Sequence, residues 1–161
     1  MNTFEQDFED ILKGKEPTTL YDPISYILLQ PGKRLRPQLV HMSVEMFGGS
    51  AEDARKIALA FEMLHNFTLI HDDIMDEAPI RRGKETVYKK WNSNIAILSG
   101  DALAIMAFQQ LLKLNCDNQI ILDIAKIFSQ TSLEICEGQQ YDMDFETQQK
   151  VGIDEYIMMI R

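Results

Sequence analysis

The stretch His65–Gly83, HNFTLIHDDIMDEAPIRRG, joins a long apolar helix pattern to three aspartates and a pair of arginines. Asp72 and Asp76 are four residues apart, so on a helix their carboxylates lie one turn apart on the same face. Like charges so placed repel each other, and an acidic cluster at a helix C-terminus also opposes the helix dipole. Mg²⁺ prefers carboxylate oxygens and usually binds through one or two carboxylates plus substrate phosphates. The stretch predicts a helix end that holds a diphosphate through metal ions; the alternative for this string alone is a solvated acidic helix end.

The neighbouring charges fit the same interpretation. Arg81 and Arg82 follow a proline and would supply charge-assisted hydrogen bonds to phosphate oxygens from the opposite side. Asp73 points roughly 100° away from Asp72 on an ideal helix. We therefore expect Asp73 to lie behind the metal ligands and not to bind the metal itself.

A second element suited to phosphate lies upstream, at Gln30–Pro37, QPGKRLRP. Its Pro-Gly pair ends any preceding helix, and Pro37 is expected as the first residue of the next one. Three basic residues then crowd the N-terminus of that helix, where free backbone N–H groups favour anions: Lys33, Arg34 and Arg36. The alternative is a basic surface patch.

Taken together, four segments resemble the trans-isoprenyl diphosphate synthase (polyprenyl synthetase) family: GKRLRP, LHNFTLIHDDIMDEAPIRRG, SGDALA and GQQYD. They occur in family order from about Pro31 to Tyr156, and the likeness is to bacterial enzymes of the farnesyl or geranylgeranyl type. The resemblance implies an all-α bundle of the isoprenoid-synthase type. It also implies a Mg²⁺-dependent prenyltransferase that condenses an allylic diphosphate with isopentenyl diphosphate.

The resemblance further implies roles for single residues. Asp72 and Asp76 would bind Mg²⁺, and Arg81 would contact the allylic diphosphate. The residues implied around isopentenyl diphosphate are cationic or can become so: Lys33, Arg36, His65 and Arg82. In GQQYD, Gln139 is implied as a further substrate-binding residue and Asp142 as a residue behind the ligands.

Product length is implied by two positions before the first aspartate. In the family these positions set the floor of the elongation pocket, and here they are Thr68 and Phe67, which resemble enzymes with fifteen- or twenty-carbon products. On an ideal helix Thr68 lies about 40° from Asp72 and Phe67 about 140° away, so the phenylalanine could instead be a core residue. The same alternative holds for three other apolar residues that could line a prenyl pocket: Phe61, Leu64 and Leu103.

Composition restricts the class of protein. The 161 residues are 45% hydrophobic, enough for a single domain over residues 1–161 with a real core. The net charge of −9 argues against nucleic acid as a partner. Cys116 and Cys136 form no metal-binding pattern and are expected as free thiols. No signal peptide is recognisable, and no apolar run approaches the ~20 residues of a membrane helix. We expect a cytoplasmic protein without a membrane span, and the resemblance implies a homodimer.

Apolar spacing predicts helices throughout, with no β-alternation. The expected helices are Phe4–Leu12, Leu20–Leu29, Pro37–Phe47, one from a capping pair at Ser50 and Asp53 to near Met75, about Asn94–Leu114, Asp117–Gln140, and another from Asp154.

Two elements of the family pattern are not found in these 161 residues. Family members carry, further along the chain, a Lys-Thr element and a second aspartate-rich motif that holds a further Mg²⁺. We therefore expect an N-terminal half of the family domain. Two interpretations stay open: a prenyltransferase, or a non-catalytic helical module, either an inactive fragment or a small subunit that binds a catalytic synthase.

Overall fold

Helices form almost all of the regular structure in the computed structural model, which describes residues 4–160. The helices are α1 Phe4–Leu12, α2 Thr18–Leu28, α3 Leu35–Met46, α4 Ala51–Met75, α5 Val87–Lys90, α6 Ser93–Leu111, α7 Asn118–Thr147 and α8 Ile153–Met159. Two short strands, β1 Ile80–Arg81 and β2 Lys84–Glu85, lie between α4 and α5. The all-α fold class predicted from the sequence is confirmed.

The contacts divide the chain into two compact units, the first ending at Cys116 and the second beginning at Asp117. In the first unit α4 packs against α6 and α3, and α2 packs against α6. In the second unit α7 packs against α8. The single domain over residues 1–161 stays a prediction.

Helix α4 is the central element of the first unit, and its start follows from its cap. The Ser50 hydroxyl accepts a hydrogen bond from the Asp53 N–H at 3.3 Å, which satisfies one of the free donors of the first turn. Buried side chains then recur every three or four residues and give the helix one face in the core: Ala54, Ala58, Glu62, Asn66, Leu69 and Asp73. The predicted bounds of this helix are confirmed.

The prediction that Pro37 opens helix α3 is wrong by two residues. The helix begins at Leu35, and its first backbone hydrogen bond runs from the Gln38 N–H to the Arg34 carbonyl at 3.1 Å. Proline is tolerated here because N–H groups in the first turn have no helical acceptor, so its sequence position does not fix which of those residues comes first.

The expectation of no β-structure is also wrong, though by four residues only. Ile80 pairs with Glu85 and Arg81 with Lys84 in an antiparallel hairpin. Strands of two residues are too short to show a period-two pattern in the sequence. The four-residue helix α5 was likewise not predicted. Helix α7 was predicted to end at Gln140 but continues to Thr147, with Gly138 inside the helix.

Helix α6, Ser93–Leu111, corrects the statement that no apolar run is long enough for a membrane helix. By length and composition alone it could cross a membrane, and 44% of its apolar window is buried inside the protein. Its core side chains pack against α4, α2 and α5, as in the central helix of a bundle. Such packing explains its apolar character without a membrane.

Gly100 on α6 permits close contact between α6 and α4. A Cβ atom there would overlap the imidazole ring of His71 on α4. Gly100→Ala gains helix propensity of about 1 kcal/mol, but we expect the overlap to cost more, giving a net destabilisation of roughly 1–2 kcal/mol. Urea unfolding measures this change. The double variant Gly100→Ala/His71→Ala should show a favourable coupling energy, and additive effects would contradict the close packing.

Candidate active site

Asp72 and Asp76 lie on successive turns of one helix. The Asp76 N–H donates to the Asp72 carbonyl at 2.8 Å, so the helical path continues through the end of α4 to Asp76. The Asp72 side chain is about one-third exposed, and Asp76 is exposed. Two carboxylates are thus available to a ligand at this helix end, on the face that the sequence predicted.

Asp73 occupies a different environment from its two neighbours. It is 1% exposed, and its Oδ1 accepts a hydrogen bond from Arg81 Nε at 2.6 Å. Burial raises the pKa of the Asp73 carboxyl even though Arg81 acts in the opposite direction. Its Oδ2 is buried without a hydrogen-bond partner among residues 4–160. The structure therefore places Asp73 behind Asp72 as an anchor for Arg81.

The hairpin separates the two arginines. Arg81, in β1, reaches the aspartates, with its Nη2 3.6 Å from Asp72 Oδ2. Arg82 and Gly83 form the two-residue turn, with φ of 53° and 77°. Positive φ at both central residues is the backbone of a type I′ hairpin turn. Arg82 consequently lies among a different group of residues from Arg81.

That group surrounds a cavity of about 470 Å³. It is lined by the loop before α3, the first residues of α3, two residues of α4 and the hairpin turn: Pro31, Gly32, Lys33, Arg34, Leu35, Arg36, Glu62, His65 and Arg82. All four residues implied around isopentenyl diphosphate are among them. A Cβ atom on Gly32 would lie 3.1 Å from Arg82 Nη1, so the absence of a side chain there leaves room for the guanidinium.

His65 is the half-buried member of this group. Its pKa is lowered to about 4, chiefly by burial, with the positive charges of Arg36, Arg82 and Arg81 acting in the same direction and Glu62 against them. At neutral pH the ring is uncharged and can donate one N–H to an anion. The arginines that add to this effect give the cavity a positive charge, which is suited to a negative ligand.

Sequence reasoning missed two residues of the cavity. Arg34 was grouped with Lys33 and Arg36 as a basic residue at the helix start, but its guanidinium pairs with Glu62 Oε1 at 2.6 Å. Glu62 lies one turn before His65 on α4, and this i, i+3 spacing was the sequence signal that could have placed Glu62 beside His65 in the cavity. Which of three nearby arginines an acid pairs with is not visible in the sequence.

The two predicted product-length residues, both on α4, have different surroundings. Phe67 is half-buried, and its ring meets the His71 ring edge-to-face with centroids 4.7 Å apart. The Thr68 hydroxyl donates to the His65 carbonyl at 2.8 Å. Of the other apolar candidates, Leu64 and Leu103 are buried core residues.

The second unit contains the GQQYD residues. Gln139 is half-buried and Asp142 exposed, and both line a cavity of about 430 Å³ between α7 and α8. The remaining lining residues come from the same two helices and from the residue that follows α8: Thr131, Glu134, Ile135, Gly138, Met159 and Ile160. The structure thus places these two residues together within the second unit.

Two carboxylates at the end of α4 are the candidate metal ligands. Among residues 4–160, no group of three or more His, Cys, Asp or Glu side chains could hold one. Asp72 and Asp76 offer carboxylate oxygens from one face, which fits Mg²⁺ bound by two carboxylates plus phosphate oxygens. Cys116 and Cys136 are free thiols, as predicted.

The fold is a helical domain with two groups of charged side chains, and comparison with known families gives its class. The polyprenyl synthetase family profile matches residues 17–161. The chain belongs to the polyprenyl synthetase family.

Similarity to individual relatives supports the same family. The chain is 43% identical over 152 residues to geranylgeranyl diphosphate synthase of Methanosarcina mazei, covering 94% of this chain and 47% of the relative. A solved geranylgeranyl pyrophosphate synthetase from the archaeon Geoglobus acetivorans superposes with a TM-score of 0.93 at 40% identity, covering 98% of this chain and 51% of that one. A crystal structure of a geranylgeranyl pyrophosphate synthase gives a TM-score of 0.91 at 50% identity, covering 99% and 50%. The chain spans about half the length of these relatives.

The lowered pKa of His65 gives a prediction for stability. Because the folded pKa lies below the ordinary value of 6.5, the contribution of neutral His65 is present above about pH 6.5 and is lost as pH falls towards about 4. We expect His65→Gln to flatten the rise of unfolding free energy between these pH values by about 1–3 kcal/mol, allowing for solvent screening. Urea titrations across this range measure the slope, with His41→Gln as the control. If the unfolding free energy of His65→Gln rose with pH as steeply as that of the wild type, His65 would not be the source of this pH dependence.

Proposed function

We propose that the full-length protein is a Mg²⁺-dependent trans-prenyltransferase that condenses an allylic diphosphate with isopentenyl diphosphate. The family membership and the relatives named geranylgeranyl diphosphate synthase support this proposal. The proposed product is a short isoprenyl diphosphate of fifteen or twenty carbons.

The observation that carries the proposal is the separation of charged residues into two groups. One group holds Asp72, Asp76 and Arg81 at the end of α4, and the other is the cavity with Lys33, Arg36, His65 and Arg82. A reaction between two diphosphate esters needs two anion sites that hold the substrates in a fixed relation. The hairpin supplies one arginine to each group, so each site has its own cation.

The proposed chemistry follows from these groups. Asp72 and Asp76 would hold Mg²⁺, which would supply positive charge against the charge that develops on the leaving diphosphate. Arg81 donates hydrogen bonds to the same diphosphate as the allylic C–O bond breaks and a carbocation forms. The cavity residues hold isopentenyl diphosphate so that its double bond attacks the cation, after which a proton is lost. Water must be excluded, since it would trap the cation.

Further parts of the proposal concern the whole protein. Gln139 is proposed as a substrate-binding residue and Asp142 as a residue behind the ligands. A homodimer in the cytoplasm is proposed from the family resemblance. The alternative of a non-catalytic small subunit is not favoured by any observation, because the relatives carry names of synthases.

The three aspartates test the function. We expect the full-length protein to form prenyl product from both diphosphates with Mg²⁺, and Asp72→Asn or Asp76→Asn to lower kcat by roughly 100-fold or more through lost metal binding. Asp73→Asn keeps an oxygen that can accept the hydrogen bond of Arg81 Nε, so it should lower activity much less and leave the Mg²⁺ concentration for half-maximal activity unchanged. Product analysis by chromatography and Mg²⁺ titrations measure these effects. No product from the wild type would refute the function; equal losses at all three positions would refute the metal assignment.

Phe67 tests the proposed floor of the elongation pocket. We expect Phe67→Ala in the full-length protein to lengthen the product by one or more five-carbon units, because removal of the ring opens space below the growing chain. Separation of products by chain length measures this. Leu64→Ala is the comparison on the same helix, since it removes a side chain that is buried in the core. An unchanged product distribution in Phe67→Ala would assign the phenylalanine to packing against His71.

A further inference from the structure

Arg34 differs from the other basic residues of the cavity in where its charge lies. Its side chain is 11% exposed, whereas Lys33 and Arg36 on either side of it are exposed. A cation that is to bind an incoming anion gains from being accessible. Arg34 instead turns its guanidinium into the protein, towards Glu62, whose side chain is 6% exposed.

The contacts of Arg34 occupy most of its hydrogen-bond donors. Nη1 donates to Glu62 Oε1 at 2.6 Å, and Nη2 donates to the carbonyls of Leu28 and Gln30 at 2.7 and 3.0 Å. Nε lies 3.5 Å from Glu5 Oε1, within ion-pair range. The planar fork of a guanidinium can hold several acceptors at fixed angles, which an ammonium cannot do. One side chain therefore joins the C-terminal end of α2 to α4.

The backbone of Arg34 determines the direction of its basic neighbours. Its φ and ψ are 48° and 38°, in the left-handed region, and it is the N-cap of α3. Left-handed backbone is costly for a residue with a side chain and persists only where surrounding contacts hold it. Lys33 immediately precedes this turn and Arg36 follows it by two residues. A change at Arg34 would redirect both.

The Arg34–Glu62 pair also decides the charge of the cavity. Glu62 is an acidic residue among the lining side chains, and an unpaired carboxylate there would repel a diphosphate. Arg34 neutralises it at hydrogen-bond distance. The charges of Lys33, Arg36 and Arg82 are then left for the ligand.

We propose that Arg34 is a positioning residue for the diphosphate cavity: it does not contact the diphosphate, but through Glu62 and the carbonyls of Leu28 and Gln30 it fixes the loop that carries Lys33 and Arg36. The identity of the ligand as isopentenyl diphosphate rests on the proposed function. The positioning role itself requires only that the cavity binds a diphosphate group.

The sharpest test is the sign of the effect at Glu62. If Glu62 acted on the ligand only by charge, Glu62→Ala would tighten diphosphate binding, because a negative charge leaves the cavity. The positioning role predicts weaker binding, because Arg34 would lose its ion-pair partner and the loop would no longer be held in a fixed direction. The probe is inorganic diphosphate, titrated into the full-length protein by isothermal calorimetry without metal, at a temperature where every variant is folded by circular dichroism.

We expect Arg34→Gln to weaken binding about tenfold and Glu62→Ala about fivefold, which corresponds to about 1.4 and about 1 kcal/mol of lost affinity. Arg34→Lys keeps the charge but not the fork, and we expect at least a threefold loss; it also serves if Arg34→Gln does not fold. The matched control is Arg55→Gln, which removes a part-buried ion pair, Arg55 Nε to Asp7 Oδ2 at 2.5 Å, between α4 and α1 and outside the cavity. Its affinity should stay within twofold of the wild type.

The outcomes separate this proposal from the proposed function. Three results would each overturn the positioning role. The first is equal or tighter diphosphate binding in Glu62→Ala, and the second is wild-type affinity in Arg34→Lys. The third is a loss of affinity in Arg55→Gln as large as that in Arg34→Gln. Arg36→Ala reports on the cavity independently. If it weakens binding while the Arg34 variants do not, the cavity is a diphosphate site and only the positioning role fails. If the wild type does not bind diphosphate, the proposed function fails at this site. In turnover, positioning also predicts a raised KM for isopentenyl diphosphate with the allylic KM unchanged in Arg34→Lys.

Discussion

The buried ion pair between Asp73 and Arg81 is the interaction on which the arrangement of the candidate site depends. Asp73 continues the buried face of α4 into its last turn, so its carboxylate needs a partner inside the protein. Arg81 arrives from a hairpin whose strands have two residues each, too short to be stable alone. The pair therefore holds the hairpin against the end of α4, and the turn that follows places Arg82 at the cavity lined by Lys33, Arg36 and His65.

The same arrangement recurs in the upstream basic motif. There Arg34 is paired with buried Glu62, while Lys33 and Arg36 remain exposed beside it. In each motif a buried carboxylate anchors one arginine, Glu62 holding Arg34 and Asp73 holding Arg81. A buried ion pair is weak evidence for stability, because its desolvation offsets much of the attraction. Its directional hydrogen bonds explain its presence better, since they fix where the remaining cations point.

Long elements were predicted better than short ones, although α7 ends at Thr147 and not at the predicted Gln140. Helix α4 was predicted with its cap and its end because twenty-five residues carry a repeated apolar spacing and a hydroxyl cap. The hairpin and α5 were missed, and the start of α3 was displaced to Pro37, because two to four residues contain no period. The apolar length of α6 was underestimated for a related reason: isolated polar residues interrupt the run in the sequence, yet the helix is apolar on average.

The sequence by itself determined the helical class, the common face of Asp72 and Asp76, and the separate orientation of Asp73, because a helix fixes angles between residues only a few positions apart. The family resemblance added the grouping of Lys33, Arg36, His65 and Arg82. Only the tertiary structure decided which arginine pairs with which acid, since Arg34 meets Glu62 across 28 residues of chain and Arg81 meets Asp73 through a hairpin. Such pairings depend on the packing of whole helices, which local spacing does not contain.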